Sequence, residues 1–290
     1  MHPIKQTKLA DDFFRGMRNE LTPTKLQILA AFAEEIPLLD KMGVFVDEKH
    51  YLQTLSLVLE STAETRHRGY FFVKEIISRI GREVLLLDVG AGNAETLKWL
   101  YKKCRMIDVV DSNKTALDNL STKIFQHDKL GTIHGGIEHV SLRSNYYDLA
   151  ILSHVLYYID RSSWLDSIKN LYSSLKVGGI GVIILSDGHE GKAKLMKDFG
   201  GKSIDFDGMA KECSQVFDAN FEVFVTDEKF HALTLTHMLH TASFFLLDAG
   251  VTASKDRLEE YVKANYRQNG DTYLMTSRQK ILVLTKKGRN

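Results

Sequence analysis

The residues with the clearest chemical spacing in this 290-residue chain lie between positions 88 and 94. Asp88, Gly90, Gly92 and Ala94 follow a short apolar run and precede a helical segment. Glycines at such a turn let the backbone bend tightly and approach a ligand closely. Because Gly90 and Gly92 are followed by Ala94 and not by the third glycine of a dinucleotide-binding turn, the pattern alone also fits a tight strand-to-helix turn without a ligand.

A second acidic residue, Asp111, ends the next apolar run at 107–111. A carboxylate at the end of the second strand can accept hydrogen bonds from both hydroxyls of a ribose. The alternative is an aspartate that caps the following helix. Since Asp111 occurs together with the glycine turn in a strand–turn–helix–strand context, we predict a nucleotide-ribose site.

Strands and helices alternate around these residues. The predicted strands are 84–88, 107–111, 132–135, 147–152, 181–186, 222–226 and 280–285, and the main helical segments are 1–46, 48–59, 62–80, 114–124, 162–175, 187–220 and 233–247. This rhythm indicates βαβ units and a parallel sheet. The apolar runs are continuous rather than alternating, which is typical of strands that are buried on both faces.

Composition narrows the function classes. The formal net charge is +1, from 38 basic and 37 acidic side chains, so no nucleic-acid partner is expected. No run of about 18 apolar residues is present and the N-terminus lacks the order of a signal peptide, so we expect a cytoplasmic protein without a membrane span. Cys104 and Cys213 lack metal-ligand spacing, and His231, His237 and His240 are interpreted as ordinary helix or cavity histidines rather than metal ligands.

The glycine turn resembles the first motif of class I S-adenosylmethionine-dependent methyltransferases. Ser153 and His154 follow the fourth strand, where that family places residues beside the methionine part of the cofactor, and Gly178 and Gly179 match its helix-to-strand turn. The resemblance covers about residues 84–186. It implies that S-adenosylmethionine is the cofactor, bound by Asp88, Gly90, Ala91, Gly92, Asp111, Ser112, Gly136, Ile137, Ser153 and His154.

The same resemblance implies the architecture. We expect an α/β fold with a Rossmann-like, seven-stranded, mostly parallel sheet, one antiparallel strand near the C-terminus, an N-terminal helical extension and a helical lid. Residues 1–60 are the predicted extension or lid, and residues 61–290 the methyltransferase domain with helical insertions at about 187–220 and 233–275. The helix at 233–247 either covers the active site or packs only in the core. The protein is expected to be a monomer or a homodimer.

Within this superfamily, segments 51–64, 78–81, 156–160 and 194–200 are similar to the histamine N-methyltransferases. In those enzymes a glutamate of the N-terminal segment binds the amine substrate, and Glu64 stands at the matching position. The alternative for Glu64 is a solvated helix carboxylate near Arg66 and Arg68. The likeness also implies that Tyr157 and Tyr158 line the substrate cavity, or else that they pack in the core.

Two substrate-contact positions differ from those enzymes, so histamine is not the expected acceptor. His154 replaces a glutamine and could bind the cofactor carboxylate, orient the substrate or act as a base. Thr276 or Ser277 replaces an asparagine. The predicted function is methyl transfer from S-adenosylmethionine to a small molecule, at an amine nitrogen, with O- or C-methylation and a catalytically silent binding subunit as alternatives. The predicted catalytic residues are Glu64 and His154, and the predicted substrate-binding residues are Glu64, Tyr157, Tyr158 and Thr276.

Overall fold

A central sheet organises the protein, whose computed structural model describes residues 4–9, 21–90, 92, 94–123, 127–201 and 204–288. The strands are β1 (Lys5–Lys8), β2 (Lys41–Met42), β3 (Val84–Val89), β4 (Cys104–Asp111), β5 (Leu130–His134), β6 (Tyr147–Ser153), β7 (Leu175–Ser186), β8 (Ala219–Ala232), β9 (Ala253–Ser254) and β10 (Tyr273–Lys286). Eight of them form one sheet in the order β1-β8-β10-β7-β6-β3-β4-β5, and β2 pairs with β9 in a separate sheet.

The pairing of the strands confirms the predicted fold class. The five neighbours from β7 to β5 are parallel, while β10 runs antiparallel to both β7 and β8. This is a Rossmann-like α/β sheet with one antiparallel strand near the C-terminus. Because β3, β4 and β6 run in the same direction, their carboxyl ends lie along one edge of the sheet.

Helices cover both faces of the sheet and extend beyond its edge. They are α1 (Pro23–Glu35), α2 (Glu48–Glu60), α3 (Glu64–Phe71), α4 (Ser78–Ile80), α5 (Glu95–Leu100), α6 (Lys114–Lys123), α7 (Trp164–Ser174), α8 (Gly191–Asp198), α9 (Phe206–Val216), α10 (Leu235–Asp248) and α11 (Lys255–Asn265). A π-helical segment, Phe72–Ile77, joins α3 to α4. None of the helices in the described ranges is long and apolar enough to pass through a membrane.

The sheet has eight strands rather than the seven expected, and the additional one is β1. Its sequence, KQTK, carries no apolar pattern, so nothing in it indicates a strand. Its backbone pairs in parallel with β8 from Glu222 to Val225. Ile4 and Leu9, on either side of β1, pack into the apolar clusters on opposite faces of the sheet. These two side chains hold a polar segment at the sheet edge.

The expectation that residues 1–46 are helical is correct only in part. Thr22 caps α1 by accepting a hydrogen bond from the Lys25 N–H at 3.2 Å, as the Thr22–Pro23 pair predicts. The helix ends at Glu35, and the chain then forms the short strand β2. The predicted end of the helix over 114–124, at Ile124, lies outside the described residues.

The last two long strands exceed their predicted lengths. β8 and β10 pair along their full 14 residues, whereas the apolar runs mark only 222–226 and 280–285. The missed halves, near Glu228 and Arg278, alternate between buried and exposed positions and carry charged side chains. The outer halves were missed because an antiparallel hairpin can keep one face polar, so its sequence alternates and does not form a continuous apolar run.

A third apolar cluster lies beyond the edge of the sheet that carries the carboxyl ends. It is built mainly from α2, α8, α10, α11 and the outer halves of β8 and β10. The helical layer includes α8 from the segment 187–220 and α10 and α11 from the segment 233–275, both of which were predicted as insertions, whereas α9 packs against the face of the sheet. The layer lies over the strand ends and partly covers a site formed there.

One buried hydrogen bond ties together the strands on either side of β3. The Tyr147 hydroxyl on β6 donates to Asp108 Oδ2 on β4 at 2.7 Å, and both side chains are buried. Removing the hydroxyl leaves a buried carboxylate oxygen without its donor. We expect Tyr147→Phe to lower the free energy of unfolding by about 1–3 kcal/mol, measured by urea denaturation. Tyr146→Phe is the matched control, and an equal effect of the two substitutions would contradict the assigned role.

Candidate active site

A cavity of about 400 Å³ opens at the carboxyl ends of β3, β4 and β6. Of the ten residues predicted to bind the cofactor, nine line this cavity: Asp88, Gly90, Gly92, Asp111, Ser112, Gly136, Ile137, Ser153 and His154. The tenth, Ala91, lies outside the described residues. Residues that are distant in the sequence meet here because each follows a parallel strand.

The glycine turn has a conformation that demands glycine at its first position. Gly90 has a φ of +71°, and a Cβ at this residue would lie 2.2 Å from Val155 Cγ2. Its N–H donates to the Val110 carbonyl at 2.7 Å, which joins the turn to β4. Gly92 has a φ of +54° with open space where its Cβ would be. At Gly92 the backbone therefore leaves open space that a ligand in the cavity can approach.

Asp111 stands beside this turn with its carboxylate at the cavity. One oxygen accepts from the Asn113 N–H at 2.8 Å, and the other is 3.5 Å from the Gly92 nitrogen. The start of α6 is capped by a different residue, since Asn113 Oδ1 accepts from the Ala116 N–H at 3.1 Å. The capping alternative for Asp111 is thus not needed, and its position suits ribose hydroxyls.

Asp88 is buried at the end of β3 and supplies a second carboxyl group. Burial raises its pKa to about 7, with Arg68 lowering the pKa and Asp111 raising it. A cationic ligand beside Asp88 would favour the ionised form. The positively charged sulfonium and ammonium groups of S-adenosylmethionine therefore fit a cavity that is lined by the carboxyl groups of Asp88 and Asp111.

Arg68 lines the cavity although it was not among the site residues predicted from the sequence. Its side chain is 9% exposed, donates from Nε to Thr96 Oγ1 at 3.1 Å and from Nη1 to Glu64 Oε1 at 3.2 Å. It lines the cavity together with Thr96, close to the start of α5. Its position four residues after Glu64 on a helix is the sequence signal that could have found this pair.

Glu64 is buried rather than solvated, and it faces the cavity. Its Oε1 is 3.4 Å from His154 Nε2. Burial alone would raise the pKa of Glu64. The hydrogen bond and charge interaction with His154 and the charges of Arg68 and Lys192 outweigh burial and lower this pKa to about 2. Glu64 is therefore an ionised carboxylate at neutral pH.

His154 is held in one orientation by contacts on both ring nitrogens. Its backbone has a φ of +58°, which is uncommon for a residue other than glycine. The backbone N–H of His154 donates to the Ile184 carbonyl at 2.9 Å. Its Nδ1 is 3.1 Å from the Tyr157 hydroxyl. Burial lowers the pKa of His154, Glu64 raises it, and Arg68 and Lys192 lower it further, with lowering as the net effect. The ring is neutral at neutral pH.

Hydrogen-bond accounting assigns the tautomer of this neutral ring. The Tyr157 oxygen accepts from the Ser186 N–H, which leaves its O–H free to donate to His154 Nδ1. Burial raises the pKa of Tyr157, so that proton stays in place. The ring proton is then on Nε2, where it faces the ionised Glu64. Gln279 places its amide group 3.4 Å from the same nitrogen, and with the amide oxygen rather than the amide nitrogen turned toward the ring it accepts from this Nε2–H.

The remaining predicted substrate residues have different positions. Tyr158 is 61% exposed at the cavity, and its hydroxyl donates to Asp248 Oδ1 at 2.6 Å. Tyr157 does not line the cavity and contacts His154 instead. Thr276 is exposed and outside the cavity, because alternate residues of β10 point to opposite faces. Gln279, on the other face, is the β10 residue that reaches His154.

Aromatic and charged side chains of the helical layer form the second half of the cavity. These are Tyr51 of α2, Phe230 of β8, Phe244, Phe245 and Asp248 of α10, and Lys192 of α8. The helix predicted at 233–247 thus both covers the cavity and packs in the core.

His237 and His240 on this helix are buried, with His237 Nε2 2.6 Å from Ser61 Oγ. Within the described ranges, no group of His, Cys, Asp and Glu is placed to hold a metal ion.

The position of Asp111 leads to a direct test of the ribose contact. Asp111→Asn removes the negative charge that strengthens hydrogen bonds from ribose hydroxyls, and such bonds are worth about 1.5–3 kcal/mol. We expect the affinity for S-adenosylmethionine to fall about 10- to 100-fold, measured by calorimetry. Asp166→Asn, at an exposed position of α7, is the control. Equal affinities of Asp111→Asn and the control would show that Asp111 does not hold the ribose.

The tautomer of His154 is open to a spectroscopic test. Tyr157→Phe removes the hydroxyl that donates to Nδ1, so the preference for a proton on Nε2 weakens. We expect the ¹⁵N chemical shifts of His154, in protein labelled at histidine, to move toward those of a tautomer mixture. The exposed His139 is the internal reference, since its surroundings do not change. Unchanged His154 shifts in this variant would contradict the assignment.

Comparison with known proteins agrees with this site. Residues 87–183 match the protein family described as Methyltransferase domain. No curated protein sequence matches the chain significantly. Among solved structures, a Bacillus halodurans protein designated a methyltransferase is 11% identical with a TM-score of 0.56, covering 73% of this chain and 97% of its own. YcgJ from Bacillus subtilis is 11% identical with a TM-score of 0.55, covering 77% of this chain and 100% of its own.

At these identities the two structures show only the fold. The family match adds that residues 87–183 have the sequence of a methyltransferase domain. The matched segment contains the glycine turn, Asp111, Ser153 and His154, which the structure brings together at one cavity. Residues 87–183 therefore form a methyltransferase domain, and the chain is an enzyme whose cofactor is S-adenosylmethionine.

Proposed function

We propose that this enzyme transfers the methyl group of S-adenosylmethionine to the nitrogen of a small-molecule amine. The observation that carries the proposal is the buried carboxylate of Glu64 at the cavity, which accepts from Arg68 and lies 3.4 Å from His154 Nε2. The same cavity is lined by the glycine turn and Asp111, here called the cofactor half, and by aromatic side chains of α2 and α10, here called the acceptor half. A nitrogen bound to Glu64 would lie next to the cofactor half.

The enclosed shape of the cavity supports a small acceptor. The aromatic residues Tyr51, Phe244 and Phe245 come from the helical layer that covers the strand ends. The cavity measures about 400 Å³ in all, and part of that space belongs to the cofactor, so the part that remains for the acceptor suits a small molecule. The near-zero net charge of the chain gives no support to a nucleic-acid acceptor.

The charge of Glu64 suits attack by an amine. When bound, S-adenosylmethionine supplies an electrophilic methyl group on a positively charged sulfur. An amine that arrives as an ammonium ion first releases its proton to water. The lone pair of the neutral amine then forms the new N–C bond, the S–C bond breaks, and its electron pair stays on a sulfur that becomes neutral. Positive charge therefore moves to the nitrogen, where Glu64 stabilises it electrostatically. The methylated ammonium then releases its proton to water.

The same charge disfavours the alternative acceptor oxygen. A hydroxyl must lose its proton to become a good nucleophile, and a carboxylate with a pKa of about 2 is too weak a base to take it. His154 does not fill that role in our proposal, because its ring proton is on Nε2 and faces Glu64. We assign His154 as a residue that positions Glu64, rather than as the base that was one of its predicted roles.

Glu64→Gln tests the proposal, because it keeps the shape and an oxygen acceptor but removes the charge. With an amine identified by a screen for methyl transfer, we expect kcat to fall about 10²- to 10³-fold, the scale for loss of one preorganised electrostatic contact. The affinity for S-adenosylmethionine should change less than threefold. Glu48→Gln, at an exposed position of α2, is the matched control. Undiminished turnover by Glu64→Gln would rule out this role for the carboxylate.

A further inference from the structure

A second ion pair lies in the aromatic half of the cavity. Lys192 Nζ of α8 is 3.3 Å from Asp248 Oδ2 of α10, and the two side chains are only 6% and 8% exposed. Both residues line the cavity. Apart from the effect of the Lys192 charge on the pKa of Glu64, neither residue has a part in the methyl transfer described above. A buried ion pair at a cavity wall costs desolvation energy, which raises the question of what it binds.

The two partners of this pair differ in how far their hydrogen-bonding capacity is filled. Asp248 accepts from Lys192 on Oδ2 and from the Tyr158 hydroxyl on Oδ1. The Lys192 ammonium has three donors, and Asp248 is the one hydrogen-bond acceptor that it meets in the described part of the chain. Its other close neighbours are rings, with the Phe245 centroid at 4.1 Å and that of Tyr157 at 5.5 Å. Lys192 therefore has donors left for a ligand.

The location of Lys192 separates it from the cofactor half. α8 follows β7, whereas the glycine turn and Asp111 follow β3 and β4 on the far side of β6. The cation next to the glycine turn is Arg68, whose charge acts on Asp88 and which contacts Thr96 at the start of α5. Arg68 is thus the better placed group for the carboxylate of S-adenosylmethionine. The remaining N–H donors of Lys192 are therefore available to the methyl acceptor rather than to the cofactor.

The position of Lys192 relative to Glu64 suits one acceptor that bridges them. Lys192 Nζ is 5.5 Å from the centre of the Tyr157 ring, whose hydroxyl is 3.1 Å from His154 Nδ1. The other ring nitrogen of His154 is 3.4 Å from Glu64 Oε1, so these groups form one connected part of the site. A ligand that offers nitrogen to Glu64 and a negative group to Lys192 would match both charges. The rings of Phe244 and Phe245 would contact the apolar part of such a ligand.

We propose that Lys192 binds a carboxylate of the acceptor, so that the substrates are aminocarboxylates with an apolar or aromatic side chain. This inference rests on the proposed amine methylation. It adds a second recognition point, with the amine at Glu64 and the carboxylate at Lys192. Asp248 and Tyr158 hold the ammonium in place, and they also give the cavity an ion pair that needs no external counterion when the acceptor leaves.

Matched substrate pairs test the proposal. Phenylalanine, its carboxamide and phenethylamine share one skeleton and differ in the charge and presence of the carboxyl group, and phenylglycine and benzylamine form a shorter pair. We expect kcat/KM to be about 10- to 100-fold higher for the carboxylate than for the carboxamide or the plain amine, as for a charge-assisted hydrogen bond. Lys192→Met should remove this preference without changing the affinity for S-adenosylmethionine.

The controls separate the possible failures. Lys194→Met, an exposed lysine two residues along α8, should behave as the unmodified enzyme. Lys192→Gln, which keeps a donor but no charge, replaces Lys192→Met if the latter unfolds early in a thermal melt. Equal methylation of amines and aminocarboxylates overturns the role of Lys192 and leaves amine methylation standing. A loss of cofactor affinity in Lys192→Met would assign the residue to S-adenosylmethionine and also overturns it. Methylation of phenols with no amine turned over would reject the proposed function itself.

Discussion

A carboxylate that stays ionised while buried is the constraint on which the active site depends. Burying Glu64 would by itself favour the protonated form, and the surrounding groups reverse this preference. Arg68 comes from the same helix, one turn later, and His154 from the end of β6. α3 must therefore pack against the carboxyl edge of the sheet. The π-helical segment continues α3 and buries Phe72, Ile76 and Ile77, and such segments often occur near functional sites.

The orientation of His154 shows how far this constraint reaches into the fold. The ring donates to Glu64 only because Tyr157 occupies its other nitrogen, and Tyr157 is fixed by the backbone of β7 at Ser186. The positive φ of His154 lets the chain leave β6 while its N–H still bonds to the Ile184 carbonyl. Three neighbouring segments thus fix one side chain. Such support from surrounding residues is what keeps a buried charge at a defined position.

The cofactor half could be predicted from the sequence, and the acceptor half largely could not. The glycine turn and Asp111 give local signals, because the turn needs glycine and each residue follows an apolar strand. Lys192 and Asp248 carry no comparable signal, since they meet only when α8 and α10 pack over the strand ends. Thr276 failed as a candidate for a related reason. The face to which a strand residue points depends on register, which a run of charged and polar residues does not define.

The same contrast appears in the fold. The parallel core was predicted because its strands are continuous apolar runs, while β1 was missed because it is polar and is held by Ile4 and Leu9 at its ends. The solved structures of the same fold cover about three quarters of this chain while being covered almost entirely themselves. The chain thus contains more than the shared sheet. The cofactor half is formed by turns of that sheet, whereas the acceptor half is formed by side chains of the helical layer. Under the proposed function, we therefore expect substitutions in the helical layer to alter the choice of acceptor while the glycine turn and Asp111 stay unchanged.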